Sequence, residues 1–194
     1  MALPPAAVDA AHLIDRLDRL ARSGECGSDL NSAQWEALRY VTRANRFSRT
    51  PAALSDYLGS TRGTVSQTLI ALEHKGHVSR QPSVQDRRSI MLSVTPLGER
   101  ALKNDPINAL AAGLAATDPS KLDVLVDALR AALQTLIARN GGREFGACYA
   151  CRHFRKGGGS SARMPHHCGL LNEPLSEGDS RAICVEQQPH VTAP

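Results

Sequence analysis

The chain has 194 residues, 42% apolar and 22% charged, a balance that fits a soluble globular protein with one core and room for a small appendage. No apolar run approaches the ~20 residues that a membrane-spanning helix needs, and the start, MALPPAAVDAAHLIDRLDRL, lacks a basic stretch followed by an apolar block, so the cytoplasm is the expected compartment. Net charge is +4, but nine basic residues against four acids between Asn45 and Lys103 give that stretch +5 alone, which points to a polyanionic partner.

Residues 6–22 set Val8, Leu13, Leu17 and Leu20 at helical spacing, predicting an amphipathic first helix that GECGSD ends. Cys26 in that break has no neighbouring base or partner cysteine, so it reads as an incidental thiol rather than a sulfenic-acid switch. NSAQWEALRYVTRAN predicts a second helix, with Asn31 and Gln34 spaced as a capping box and Trp35, Leu38 and Val41 facing inward. TPAALSDYLG predicts a short third helix: Thr50 caps it, Pro51 suits its first position and Gly59 stops it.

STRGTVSQTLIALEHKG follows almost without a gap, capped by Ser60 or Thr61 and closed by Gly76. Two helices joined so tightly form a helix-turn-helix. Val65, Leu69 and Leu72 line the inner stripe of the second, while Gly63, Gln67 and His74, flanked by Thr64 and Ser66, lie opposite. Small and polar residues suit a recognition helix, because Gln pairs with adenine, hydroxyls reach phosphates or bases, and Gly permits close approach. Ile90, Leu92 and Val94 then alternate with Met91 and Ser93 as a strand, paired with His77–Gln81 across the loop PSVQDRR. That hairpin is a wing. Arg87 and Arg88 at its tip suit a minor groove, with Asp86 bracing one of them. Arg87→Ala is expected to weaken DNA binding and flatten its salt slope by about one; an unchanged slope removes the wing tip from the contacts.

Residues 31–103, above all SDYLGSTRGTVSQTLIALEHKGHVSRQPSVQDRRSIMLSVTPLGERAL, resemble the MarR family of winged-helix regulators. The likeness rests on the LxxKGxVxR bridge (Leu72, Lys75, Gly76, Val78, Arg80), the DRR wing and the Val94-Thr95-Pro96-Leu97-Gly98 exit, and it extends over roughly residues 6–140. It implies an obligate homodimer with interleaved terminal helices and double-stranded DNA as partner, read by Arg62, Gly63, Thr64, Ser66, Gln67, Arg87 and Arg88. The residues support the dimer independently. TPLGERALK and DPINALAAGLAA predict two helices, and DPSKLDVLVDALRAALQTLIARNGG a longer one capped by Asp118. Its stripe of Leu122, Leu125, Val126, Leu129, Leu133, Leu136 and Ile137 is too wide for this chain to cover alone. A palindromic operator with half-sites about 34 Å apart is therefore expected.

After Gly142 the composition turns to Gly, Ser and Pro with few aliphatics, too little for an unaided core. Four of the five cysteines lie here, spaced C-x2-C-x16-C-x15-C: Cys148, Cys151, Cys168 and Cys184. Disulfides are improbable in a reducing compartment, so four thiolates suit an iron–sulfur cluster or tetrahedral zinc, with free or reversibly oxidised thiols as a third outcome. One CxxC followed by two lone cysteines departs from the paired knuckles of zinc ribbons. It resembles, over about 40 residues, high-potential iron–sulfur proteins and the small cluster-bearing subunits of some glycyl-radical enzymes, through the four cysteines and CxxCxxF (Cys148, Cys151, Phe154). A [4Fe–4S] centre is the expected cofactor, with Zn2+ as alternative. Tyr149, Phe154, Leu170, Leu171 and Ile183 are candidates to shield it, and His153, His166 or His167 to replace a cysteine.

The expected fold is mostly α with a β-hairpin wing, divided into an N-terminal dimerisation helix and turn (1–30), a winged helix-turn-helix (31–103), C-terminal dimerisation helices (104–141) and a metal-organised extension (142–194). The expected function is a repressor whose DNA affinity is tuned by the [4Fe–4S] centre in response to oxygen, nitric oxide, redox state or iron supply. The alternative is a MarR-type regulator with structural zinc that answers a small phenolic or aromatic acid. No nucleophile–base pair or phosphate-binding loop stands out, so an enzyme is not expected.

Overall fold

The computed structural model describes residues 2–23, 29–83 and 89–190. Cys26, Asp86, Arg87 and Arg88 lie outside the described residues. Helix α1 spans Pro5–Ser23, and α2 spans Ser32–Arg43 behind the predicted capping box: the Asn31 side chain accepts from Gln34 N, and the Gln34 side chain accepts from Asn31 N. Helix α3 (Pro51–Leu58) starts on Thr50 and stops at Gly59, whose φ of 59° is a left-handed cap that costs glycine little. Of the two candidate caps for α4 (Arg62–His74), Thr61 is the one used; its hydroxyl accepts from Thr64 N.

Strands β1 (Val78–Pro82) and β2 (Ile90–Val94) pair antiparallel with Val78 opposite Val94. The first strand thus begins one residue later than predicted, because His77 is used otherwise: its N–H bonds to Leu72 O, and its carbonyl accepts from Thr95 N. The core lies between α2, α3, α4 and the hairpin, where Leu38, Tyr40, Val41, Leu54, Leu69, Leu72 and Leu92 are buried. It takes in the inward residues predicted for α2 and α4, Trp35, Leu38, Val41, Val65, Leu69 and Leu72, and adds Tyr40.

Thr95 caps α5 (Pro96–Lys103), which packs hard against the hairpin at Gly98. A Cβ there would stand 2.3 Å from His77 O and 2.8 Å from Val94 Cγ1. The obstacle is partly backbone, so Gly98→Ala is expected to destabilise the fold by about 1–3 kcal/mol. Urea unfolding checks this; an unchanged midpoint contradicts the packing described.

Helices α6 (Ile107–Ala115) and α7 (Pro119–Arg139) follow, with Asp118 capping α7 through Ser120 N. Arg39 on α2 reaches the α5–α6 junction and pairs with Asp105, which is 5% exposed, at 2.6 Å. On α7, Leu122, Val126 and Ile137 are half-buried, whereas Val124, Leu125, Leu129, Leu133 and Leu136 are exposed. Val8, Leu13, Ile14, Leu17 and Leu20 of α1 are exposed as well. None of the described helices is long and apolar enough to cross a membrane.

The extension has more regular structure than its composition suggests. Strand β3 (Gly146–Ala147) pairs with β7 (Ile183–Cys184), and β4 (Phe154–Arg155), β5 (His166–Cys168) and β6 (Glu173–Leu175) form a three-stranded antiparallel sheet. A 3-10 turn covers Cys148–Ala150, and α8 (Glu177–Arg181) starts on a capping box between Ser176 and Asp179. Leu175, Cys148 and Cys184 form a small core, against which Phe47, Phe154 and Cys168 pack.

Candidate nucleic-acid interface and four-cysteine centre

The outer face of α4 presents what its sequence promised. Arg62, Gly63, Thr64 and Gln67 are exposed, Ser66 is half-buried, and Val65, Leu69 and Leu72 anchor the opposite stripe. Thr61 and Thr64 share a hydroxyl contact of 2.9 Å, and Arg62 stands 3.5 Å from Asp56 on α3. The pairing leaves Arg62 largely in solvent, so its charge remains available to a phosphate. Thr61 is not among the expected site residues, yet as the N-cap it fixes the first turn from which they project.

The four cysteines arrive from separate elements. Cys148 opens the 3-10 turn, Cys151 follows it, Cys168 ends β5, and Cys184 lies on β7. All are free thiols, and all four line one small cavity together with Phe154, Leu170 and Leu175. Among the described residues, no three donors converge closely enough to hold a single ion.

Three of the four sulfurs accept an N–H. Asn45 Nδ2 donates to Cys148 Sγ at 3.3 Å, Gln188 N to Cys151 Sγ at 3.4 Å, and Leu171 N to Cys168 Sγ at 3.5 Å. Around Cys184 the Glu186 backbone N–H, the Asn45 amide and the Ser48 hydroxyl favour the charged form of the sulfur. Hydrogen bonds of this kind favour the thiolate over the thiol. The Cys184 pKa is pulled down to about 6, first by the hydrogen bond from the Cys148 thiol and then by these donors, with burial opposing. The Cys148 thiol is pushed up by the same pairing and by burial. In metal-free protein, one cysteine is therefore expected to ionise as pH rises through about 6. The ultraviolet thiolate signal of the wild type and of Cys184→Ser checks this; a first ionisation only in the ordinary thiol range contradicts it.

The shielding residues differ from those expected. Phe154 and Leu170 line the cavity, and Leu175, 1% exposed, does so without having been anticipated. Tyr149 instead faces solvent. Ile183 packs on the winged-helix core, because its carbonyl accepts from Asn45 N at 2.8 Å and draws the strand there. Leu171 lines a groove beside the hairpin base. Of the histidines, His153 borders the cavity with Nε2 3.1 Å from Gln188 Oε1. His166 is buried, 2.7 Å from Glu177, and its ring packs on Phe154. His167 is half-buried on β5, opposite Arg155.

The extension docks on the loop joining α2 to α3. Ala44 and Ile183 form a parallel bridge, Val185 N donates to Ser48 Oγ at 2.9 Å, and Phe145 stacks edge-on to Tyr40 and Tyr57. Arg46 clamps the far side, paired with Asp179 at 3.0 Å, donating to Pro174 O and lying over Phe47 at 4.5 Å.

Residues 28–89 match the model of the MarR family. No curated protein matches the chain in sequence. Among solved structures, FabT of Streptococcus pneumoniae in complex with DNA is 23% identical, covers 68% of this chain and 94% of its own, and has a TM-score of 0.55. A MarR transcriptional regulator from Methanosarcina mazei Go1 is 21% identical, covers 66% and 96%, and has a TM-score of 0.55. The S. aureus MepR–DNA complex is 18% identical, covers 70% and 99%, and has a TM-score of 0.54. In each comparison at least 30% of this chain has no counterpart. Its winged-helix segment matches the MarR family, and the chain carries the fold of these regulators with an extension added.

Proposed function

We propose that the protein is a dimeric DNA-binding transcriptional regulator whose operator affinity depends on a [4Fe–4S] centre held by Cys148, Cys151, Cys168 and Cys184. The observation that carries the DNA-reading part is the exposed small and polar face of α4, set on a buried apolar stripe in a fold shared with FabT and MepR, both solved with DNA. The exposed apolar faces of α1 and α7 support a two-fold partner, since a second copy covers both with one self-complementary interface. For the cofactor, four cysteines lining one cavity with apolar residues, three of their sulfurs accepting an N–H, supply a donor set that suits an iron–sulfur centre, and the single CxxC followed by two lone cysteines departs from the paired knuckles of zinc ribbons. The cluster supplies a redox- and oxygen-labile charge; the chain's own residues bind it and shield it with Phe154, Leu170 and Leu175.

A second reading, structural zinc with a small aromatic acid as effector, draws on an apolar groove of about 560 Å³ between α1, α6 and α7. The groove offers Arg22 and Arg39, but these already face Asp18, Glu36 and Asp105. The first reading is therefore preferred. Selection of DNA sites from a random pool, followed by binding of Gln67→Ala, tests the reader. Loss of about 1–3 kcal/mol at one base position per half-site is expected. Failure to select any palindromic sequence overturns it.

A further inference from the structure

We infer that the loop between α2 and α3, residues 44–50, is the element through which the four-cysteine centre acts on the DNA-reading domain, with Asn45 and Ser48 as its positioning residues. The inference rests on the proposed centre and goes beyond it by assigning the route of regulation.

The winged-helix domain supplies part of the sulfur environment itself. Asn45 is 1% exposed and fully engaged: Nδ2 donates to Cys148 Sγ, Oδ1 accepts from Phe47 N at 3.1 Å and Ser48 N at 2.9 Å, and its own N–H bonds to Ile183 O. One amide thus holds the loop's turn with one end and a cysteine sulfur with the other. Ser48, also buried, accepts through Oγ from the N–H of Val185, the residue next to Cys184, and offers its carbonyl to the Tyr40 hydroxyl at 2.7 Å.

The next residues lead straight to both DNA-reading elements. Arg49 O accepts from Leu92 N on wing strand β2 at 2.7 Å, and Thr50 is the N-cap of α3, the first helix of the helix-turn-helix. The extension and the hairpin base line a common groove of about 530 Å³, and the loop is bonded to both of them. A centre bound to the cysteines fixes where the sulfurs sit and how much charge they hold. Hydrogen bonds to those sulfurs strengthen as charge builds up. Assembly of the centre therefore tightens Asn45 on Cys148 and, by fixing Cys184 and the adjoining Val185, holds Ser48; its loss frees the loop to shift Leu92 and Thr50.

The test uses the full chain, loaded anaerobically with ferrous iron and sulfide or stripped by chelator, and measures operator affinity in both forms. In the wild type the two affinities are expected to differ by about 5–150-fold. Asn45→Asp keeps the acceptor that holds the turn but removes the N–H donor. It is expected to bring that ratio close to one, with loading reduced less than in a cysteine variant. Ser48→Ala, which removes one hydroxyl, should lower the ratio with loading intact. A wild-type ratio of one overturns the regulatory reading itself. A wild-type ratio well above one that persists in a loaded Asn45→Asp or Ser48→Ala protein overturns only this route. Hydrogen exchange of the Leu92 amide gives an answer without any substitution: slower exchange on loading is expected, and equal exchange in both forms overturns the route.

Discussion

Replacing Cys148 or Cys168 by Ser is expected to abolish iron and sulfide loading and to leave operator affinity fixed at the value of the stripped wild type. A serine hydroxyl stays protonated at neutral pH and is a poor ligand for a soft centre, so each substitution removes one of four anchors. The extension has little else to hold it. Its own core is Leu175 with two cysteines, backed by Phe154 and by Phe47 from the winged-helix domain. Increased proteolysis between Gly142 and Cys184 should therefore accompany the loss of loading, more for Cys148→Ser than for Cys168→Ser, since Cys148 is buried in that core and Cys168 lies at its rim. Cys26→Ser should change neither property. Full loading of both variants contradicts the assignment of the ligands.

The second large effect concerns assembly. Leu129→Glu on α7 is expected to turn the proposed dimer into a monomer at micromolar concentration and to abolish operator binding. Leu129 is 39% exposed and lies on the helix face that also bears Leu125, Leu133 and Leu136. Covering a leucine contributes about 1.5–3 kcal/mol, and a buried unpaired carboxylate adds a desolvation cost of several more. Two-fold symmetry counts the change twice, so dissociation should rise by about 1000-fold or more. Sedimentation equilibrium checks this. A variant that stays dimeric and binds its operator as tightly as before places the interface elsewhere.

Much of the winged-helix domain was legible because its signals are local. Asn31 with Gln34, Thr50 with Pro51, Gly59 and Asp118 mark helix ends within a turn of themselves, and Ile90, Leu92 and Val94 write the wing strand in period two. The outward-facing residues of α4 followed from the spacing of Val65, Leu69 and Leu72. The extension was less legible. Ser176 and Asp179 form a readable capping box, but strands of two or three residues such as β3 and β7 carry no periodicity. Asn45 and Ser48 could not be assigned to the cysteines at all. Asn45 stands 103 positions from Cys148, and where helix α2 ends an asparagine reads as an ordinary turn residue. Only docking of the extension on the loop shows what its amide faces. The same docking sets the extension against the winged-helix domain at the α2–α3 loop.

The most direct measurement is iron, acid-labile sulfide and zinc content per chain in protein purified without oxygen, read with its visible spectrum and its operator affinity before and after chelation. The account predicts about four irons and four sulfides, a broad visible band, and an operator affinity that changes when both are removed. A colourless protein carrying one zinc or no metal, with the same operator affinity throughout, contradicts it.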